Sequence, residues 1–323
     1  MKQGLQTTAV GSYPKPDYIT KARAKFARNR ISKTELKGLE ERATKHWIDA
    51  QLDLGIDLLV DGEMYRGDMV TYFSEELEGF AVSGLVRSYG NRYYRKPIAV
   101  GPVGRKADIT VDWWKYAQSL SSKPVKGMLT GPYTIADWSF NEYYPTREAF
   151  VMDAARAIHE EVVALEKAGC EYIQIDEPAI SVRPEEMDLV LKAFNVVTKG
   201  INAFTITHIC YGNFDSVGDG ILRLPVNMLD MESVNSDFDV LEMFRRFPSD
   251  KHLSLGVVDS HNHRIESEEE IIKSIRKALE VLTPEKLFLD PDCGMKTRLE
   301  SETLHKLKNI VGAVNALRSE LGL

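Results

Sequence analysis

His208 and Cys210 stand two positions apart, and in an extended strand that spacing turns both side chains to one face. Glu232 closes the next apolar run, and Cys293 follows the last one. Together they offer an imidazole nitrogen, two thiolates and a carboxylate, all accepted ligands for zinc and less natural for iron. A His-x-Cys pair alone is more often packed core. It gains meaning because the other two ligands fall at other strand ends. A free thiol, with a pKa of about 8.5, is mostly protonated at neutral pH, whereas zinc deprotonates a bound one outright. Two thiolates and a carboxylate outweigh the 2+ charge, so a third thiolate at such a centre stays nucleophilic enough to attack a methyl group. Four protein ligands close the shell, so at least one must yield or the metal must expand its shell; Glu232, the hardest donor, is the ligand expected to move.

Further polar residues collect at other strand ends. Glu63 and Asp176 suit the α-ammonium of an amino-acid substrate, and Ser12 with nearby amides suits its carboxylate. The plain alternative is that Asp176-Glu177-Pro178 merely ends a strand. His261 reads as a general acid or as a group behind the metal, with His263 a rival two residues on. Trp138 is a stacking platform or simply core. His46, His159, His252 and His305 are assigned structural roles. Cys170 falls before its strand, at the opposite end, and is expected to be buried and inert.

These positions must be carried by a repeating scaffold. Eight runs begin apolar and turn polar: 8–13, 58–63, 125–130, 172–177, 204–210, 226–232, 253–259 and 287–292. Helical patterns at 33–54, 146–168, 184–197, 268–282 and 301–317 lie between them. Ser32 with Glu35 has capping-box spacing, and Thr146 offers a capping hydroxyl. Alternating strands and helices predict an α/β fold, a single (β/α)8 TIM barrel over 1–323, whose site lies at the C-terminal strand ends. A doubly wound sheet would bring a glycine-rich dinucleotide loop, which Val10-Gly11-Ser12-Tyr13-Pro14 is not. Residues 79–103, with Gly90-Asn91 between two β-like runs, predict a hairpin inserted before the third strand. Its Arg87, Tyr89, Arg92, Tyr93, Tyr94, Arg95 and Lys96 read as a solvated edge ribbon or as a hold for a ligand tail or partner.

Composition narrows the class. With 41 Lys and Arg against 48 Asp and Glu, net charge −7, no global field draws nucleic acid. Hydrophobic residues at 43% are enough for a large core. No leader-like start and no apolar stretch of membrane-spanning length is evident, and three sparse cysteines fit a reducing compartment, so a cytoplasmic protein is expected.

The motifs Asp61-Gly62-Glu63, Lys126-Gly127-Met128-Leu129-Thr130-Gly131-Pro132, Trp138-Ser139-Phe140, Gln174-Ile175-Asp176-Glu177-Pro178-Ala179, His208-Ile209-Cys210-Tyr211 and Asp292-Cys293-Gly294-Met295-Lys296-Thr297-Arg298 occur in order nearly from end to end. In them the chain resembles the catalytic C-terminal half of the cobalamin-independent methionine synthases. The resemblance implies zinc on His208, Cys210, Glu232 and Cys293, and homocysteine on Ser12, Glu63 and Asp176. It also implies a proton-donor role for His261 and a folate stacked on Trp138, with Arg92 a further donor-binding residue. Two details depart from the pattern: Tyr93 follows Arg92 where Cys is expected, and Asn262-His263 replaces a Pro-bearing stretch.

The long members carry a second, N-terminal barrel that helps bind a polyglutamylated folate, and a chain of 323 residues has no room for it. The donor expected on that ground is therefore methylcobalamin or a methyl-corrinoid carrier protein, received at the barrel mouth and the 87–96 ribbon; a folate donor is the alternative. A thiol such as coenzyme M is the rival acceptor, disfavoured because it has no ammonium for Glu63 and Asp176 to hold. A zinc-storage protein is a rival of another class and would show a closed shell with no amino-acid pocket.

Overall fold

The computed structural model describes residues 4–87, 93–210, 218–247 and 249–323. Among them the strands are β1 (Gln6–Thr7), β2 (Leu77–Arg87), β3 (Tyr93–Arg105), β4 (Gly127–Thr130), β5 (Phe140–Asn141), β6 (Tyr172–Asp176), β7 (Phe204–Ile209), β8 (Met228–Met231), β9 (His252–Val258) and β10 (Leu287–Pro291). Seven form one sheet in the order β1, β10, β9, β8, β7, β6, β4. The pairs β1 with β10, β10 with β9, β4 with β6 and β6 with β7 run parallel. Each of the seven corresponds to an expected run, though the first pairs at Gln6–Thr7 rather than over 8–13.

The remaining run, 58–63, makes isolated parallel bridges instead of a regular strand, Leu59 to Val125 and Gly62 to Ser12. Its extended backbone ends where Gly62 (φ 78°) and Glu63 (φ 58°) turn left-handed. Leu58 N–H donates to the Thr7 carbonyl at 3.0 Å, and Lys126 N–H donates to the Leu59 carbonyl at 2.8 Å. The run thus lies between β1 and the residues Val125 and Lys126 that lead into β4.

The expected hairpin is present. β2 pairs antiparallel with β3 from Leu77↔Arg105 to Arg87↔Tyr93, and β5 adds to β3 in parallel. The Gly90-Asn91 turn and Arg92 lie outside the described residues. Leu85 and Tyr93 are more than half exposed, as suits a solvated ribbon.

Contacts group the chain into two compact units. The first, Met1–Tyr65, Trp113–Lys126 and Asp230–Leu323, holds the helix Lys33–Leu54, entered through the predicted capping box: Ser32 Oγ accepts from Glu35 N–H, and Glu35 accepts from Ser32 N–H. Trp47 on its inner face stacks on Tyr13 with ring centroids 4.4 Å apart, and both are fully buried. The second unit, Arg66–Asp112 and Gly127–Leu229, is built on the helix Arg147–Lys167, where Thr146 caps the Ala149 amide. Phe150 and Ile158 of that helix are buried. No helix among the described residues is long and apolar enough to cross a membrane.

Candidate metal centre and the strand ends around it

The pleat of β7 decides where its polar residues go. Thr205 and Thr207 point to one face, where Thr207 Oγ1 donates to the Ile175 carbonyl at 2.8 Å. His208 therefore shares the opposite face with Ile206, and Cys210 continues the alternation just past the strand. Both are buried. Their backbone is pinned by the neighbouring strand end: Glu177 N–H donates to the His208 carbonyl at 3.0 Å, and Ser181 Oγ donates to the Cys210 carbonyl at 3.0 Å. Cys293, half-buried, follows β10. The ligand atoms of His208, Cys210 and Cys293 lie within 4.8 Å of one another. A nitrogen and two sulfurs, sheltered from water, form a donor set suited to a borderline-soft divalent ion.

Glu232, the expected fourth ligand, is buried but does not join that group; its Oε1 accepts from Asn235 Nδ2 at 3.1 Å. Its place is fixed through Asp292, whose Oδ1 accepts from the amides of Ser233 at 2.9 Å and Val234 at 3.0 Å. Burial pushes the Asp292 carboxyl up to about 7 against those two bonds, and the charges of Glu232 and Asp259 add to the effect.

Ser12 lies beside the Cys293 turn. Its carbonyl accepts from Met295 N–H at 2.7 Å. Gly294 lets the two approach, since a Cβ there would stand 2.1 Å from Ser12 Oγ. Ser12 also bridges to Gly62, so Glu63 begins at the next residue. Glu63 is half-buried and left-handed (φ 58°), with its amide on Asp61 Oδ1 at 2.8 Å and its carbonyl taking Lys15 Nζ at 3.0 Å. A left-handed, non-glycine residue at a strand end is the sort of strain that clusters at working sites. Asp176 is buried at the end of β6, and its Oδ1 accepts from Gln174 Nε2 at 2.7 Å.

His261 follows β9, with its amide on Asp259 Oδ1 at 2.7 Å. Asn235 Nδ2 reaches that same oxygen at 3.5 Å, which links the His261 turn to Glu232. His263 is engaged elsewhere, with Nδ1 2.8 Å from Glu302 on an exposed face. Trp138 is half-buried at the end of the helix Pro132–Asp137 and faces the hairpin, its carbonyl accepting from the Tyr94 hydroxyl at 3.3 Å. Cys170 is buried, and its Sγ donates to the Tyr172 carbonyl at 3.2 Å.

Four residues that the sequence reading did not single out hold these groups in place: Asn235, Asp259, Asp292 and Glu177. The last, read above as a strand terminator, is fully buried and accepts from Tyr133 N–H at 2.9 Å, Thr134 N–H at 2.7 Å and Thr134 Oγ1 at 2.6 Å. Burial pushes its carboxyl up to about 7, and these donors hold it back from rising further. The available signal was that each acid stands at a strand end beside a candidate ligand.

Comparison with known proteins gives the family. Residues 5–316 match the family described as "Cobalamin-independent synthase, Catalytic domain". A 5-methyltetrahydropteroyltriglutamate–homocysteine methyltransferase of Bacillus licheniformis is 41% identical over 98% of this chain, which spans only 43% of that protein's length. A methionine synthase of Saccharolobus islandicus is 38% identical, with 98% of this chain and 96% of that one covered. The structure of a B12-independent methionine synthase from Shewanella sp. W3-18-1, in complex with selenomethionine, superposes with a TM-score of 0.87 at 27% identity, covering 98% and 99% of the two chains.

These findings overturn the corrinoid donor. The matching family is the cobalamin-independent one, and proteins matched over nearly their whole length are methionine synthases, one of them B12-independent. Length is no guide to the donor, for a physical reason. Chain length limits how much surface can anchor a glutamyl tail; it does not select which methyl carbon reaches the sulfur.

Proposed function

The chain belongs to the cobalamin-independent synthase family through its catalytic domain, and from that premise we propose that this enzyme moves a methyl group from a methyltetrahydropteroyl glutamate to the thiol of homocysteine, releasing methionine. The observation that carries this reading is the convergence of His208, Cys210 and Cys293 within 4.8 Å, with Ser12 against the residue after Cys293.

His208, Cys210 and Cys293 would hold zinc, with Glu232 as the exchangeable fourth ligand. When bound there, zinc supplies acidity to an incoming thiol and leaves its sulfur nucleophilic. Glu63 and Asp176 take the α-ammonium of homocysteine, and Ser12 Oγ donates to its carboxylate. These contacts point the sulfur at the methyl carbon, where one S–C bond forms as one N–C bond breaks. The thiol proton leaves to solvent, and His261 delivers a proton to the departing amine nitrogen. Trp138 offers a flat face for the pterin ring, and Arg92 a cation for the glutamyl tail.

The test supplies homocysteine with methyltetrahydropteroyl mono- and triglutamate to zinc-replete and chelator-stripped protein and quantifies methionine. The expected result is methionine from the triglutamate at least as fast as from the monoglutamate, abolished by stripping and restored by zinc. No methionine from either folate with zinc-replete protein would reject the reading.

A further inference from the structure

One buried carboxylate is not needed by the reaction as written. Asp292 is fully buried, and its Oδ1 takes the amides of Ser233 and Val234, the two residues that follow Glu232. Its own amide donates to the Val258 carbonyl at 3.0 Å. Gly256 on β9 leaves the space the side chain fills: a Cβ there would stand 2.1 Å from Asp292 Oδ1 and 2.8 Å from Asp292 Cα. A single carboxylate thus joins the turn that carries Glu232 to the turn that carries Cys293, with β9 as its backstop.

We propose that Asp292 is a positioning residue for the metal, setting Glu232 opposite Cys293 through its hold on the Ser233 and Val234 amides. The inference rests on the metal reading above. Turns beyond strand ends are free to shift unless something ties them, and metal affinity depends on ligand placement to within a few tenths of an ångström. Removing the carboxylate strands a buried amide at Ser233 and lets the two turns part. Asparagine keeps an oxygen where Oδ1 stands, so it restores the tie without the charge.

The experiment measures zinc affinity by competition with a chromophoric chelator, and the visible spectrum of the cobalt(II)-substituted protein, for wild type, Asp292→Ala, Asp292→Asn and Cys293→Ser. Circular dichroism checks the fold of each. Expected are weakening of zinc in Asp292→Ala by about 10- to 100-fold, an altered cobalt ligand-field band in that variant, and recovery of both in Asp292→Asn. If Asp292→Ala does not fold, Asp292→Ser, with a hydroxyl too short to span both amides, takes its place with the same expectation. Wild-type affinity and spectrum in the folded Ala or Ser variant would overturn the proposal and leave the metal reading intact. Equal loss in the folded Asn and Ala variants would also overturn it, since the oxygen would then not be what matters. Failure of wild type to bind either metal would instead sink the metal reading, and this inference with it.

Discussion

Three cysteines of one chain face two fates, and surroundings decide which. Cys170 sits under its strand, and burial pushes its thiol up to about 12. At pH 8.5 it is therefore neutral and unreactive in the folded protein. Iodoacetamide followed by peptide mass spectrometry should label Cys210 and Cys293 in metal-stripped protein and spare Cys170; labelling of Cys170 at a comparable rate would refute this. The same shift has a stability consequence. An unfolded thiol ionises near 8.5, so the contribution of the buried neutral form is whole below that pH and is lost as pH climbs toward 12. Melting temperatures at pH 8 and 10.5 should fall less in Cys170→Ala than in wild type. Asp176 is the other residue whose charge can be isolated. Asp176→Asn keeps an oxygen for Gln174, which now donates to Oδ1 at 2.7 Å, yet it removes the charge proposed above to partner the substrate ammonium. Homocysteine should bind about 30-fold more weakly, the equivalent of about 2 kcal/mol, with zinc content unchanged. Unaltered homocysteine affinity would return Asp176 to the role of strand terminator.

Short elements depend on borrowed partners more than on their own propensity. The helix Pro132–Asp137 has six residues and no capping side chain of its own, so its first amides would be orphaned. Glu177 supplies the cap from the end of β6 and passes its own amide to His208. Glu177→Ala should cost about 2–3 kcal/mol, since it strips a buried acceptor from several donors at once. Hydrogen exchange should quicken at residues 133–138; unchanged protection there would show that the helix stands without the cap. The long helices behave differently. Ser32 and Ser267 each close a capping box at exposed or half-exposed ends, and Ser→Ala at either should cost only about 1 kcal/mol in a urea melt. The box at Ser32 is legible as a Ser and Glu three apart; Ser267 and Glu270 have the identical spacing, and the backbone places them too at a helix start.

At the scale of the whole molecule, the interior of the parallel sheet is not uniformly apolar. Lys126, Asp230, Ser254 and Asp290 are buried, with Lys126 Nζ 3.8 Å from Asp230 Oδ2. Burial and the charge of Asp230 hold the Asp290 carboxyl well above its ordinary range, and Lys126 pulls it back. Lys126→Met would leave acids without their cation, so the urea midpoint should drop by the equivalent of about 3–5 kcal/mol; a midpoint within error of wild type would show that these acids are held neutral without help. What the sequence determined by itself was the periodic part: apolar runs at regular spacing, the chemically suited residues at their polar ends, and the hairpin flanking Gly90-Asn91. Those follow from side-chain alternation and helix periodicity, which are local. Tertiary structure alone decided that 58–63 bridges rather than forms a strand, because left-handed backbone at Gly62 and Glu63 ends the run. It alone drew Cys293 to His208 and Cys210 while leaving Glu232 on Asn235, and it set the His261 amide on Asp259 while the His263 ring went to Glu302. Each of these is a hydrogen bond or an approach between residues far apart in the chain, and such contacts depend on turn geometry that no periodicity encodes.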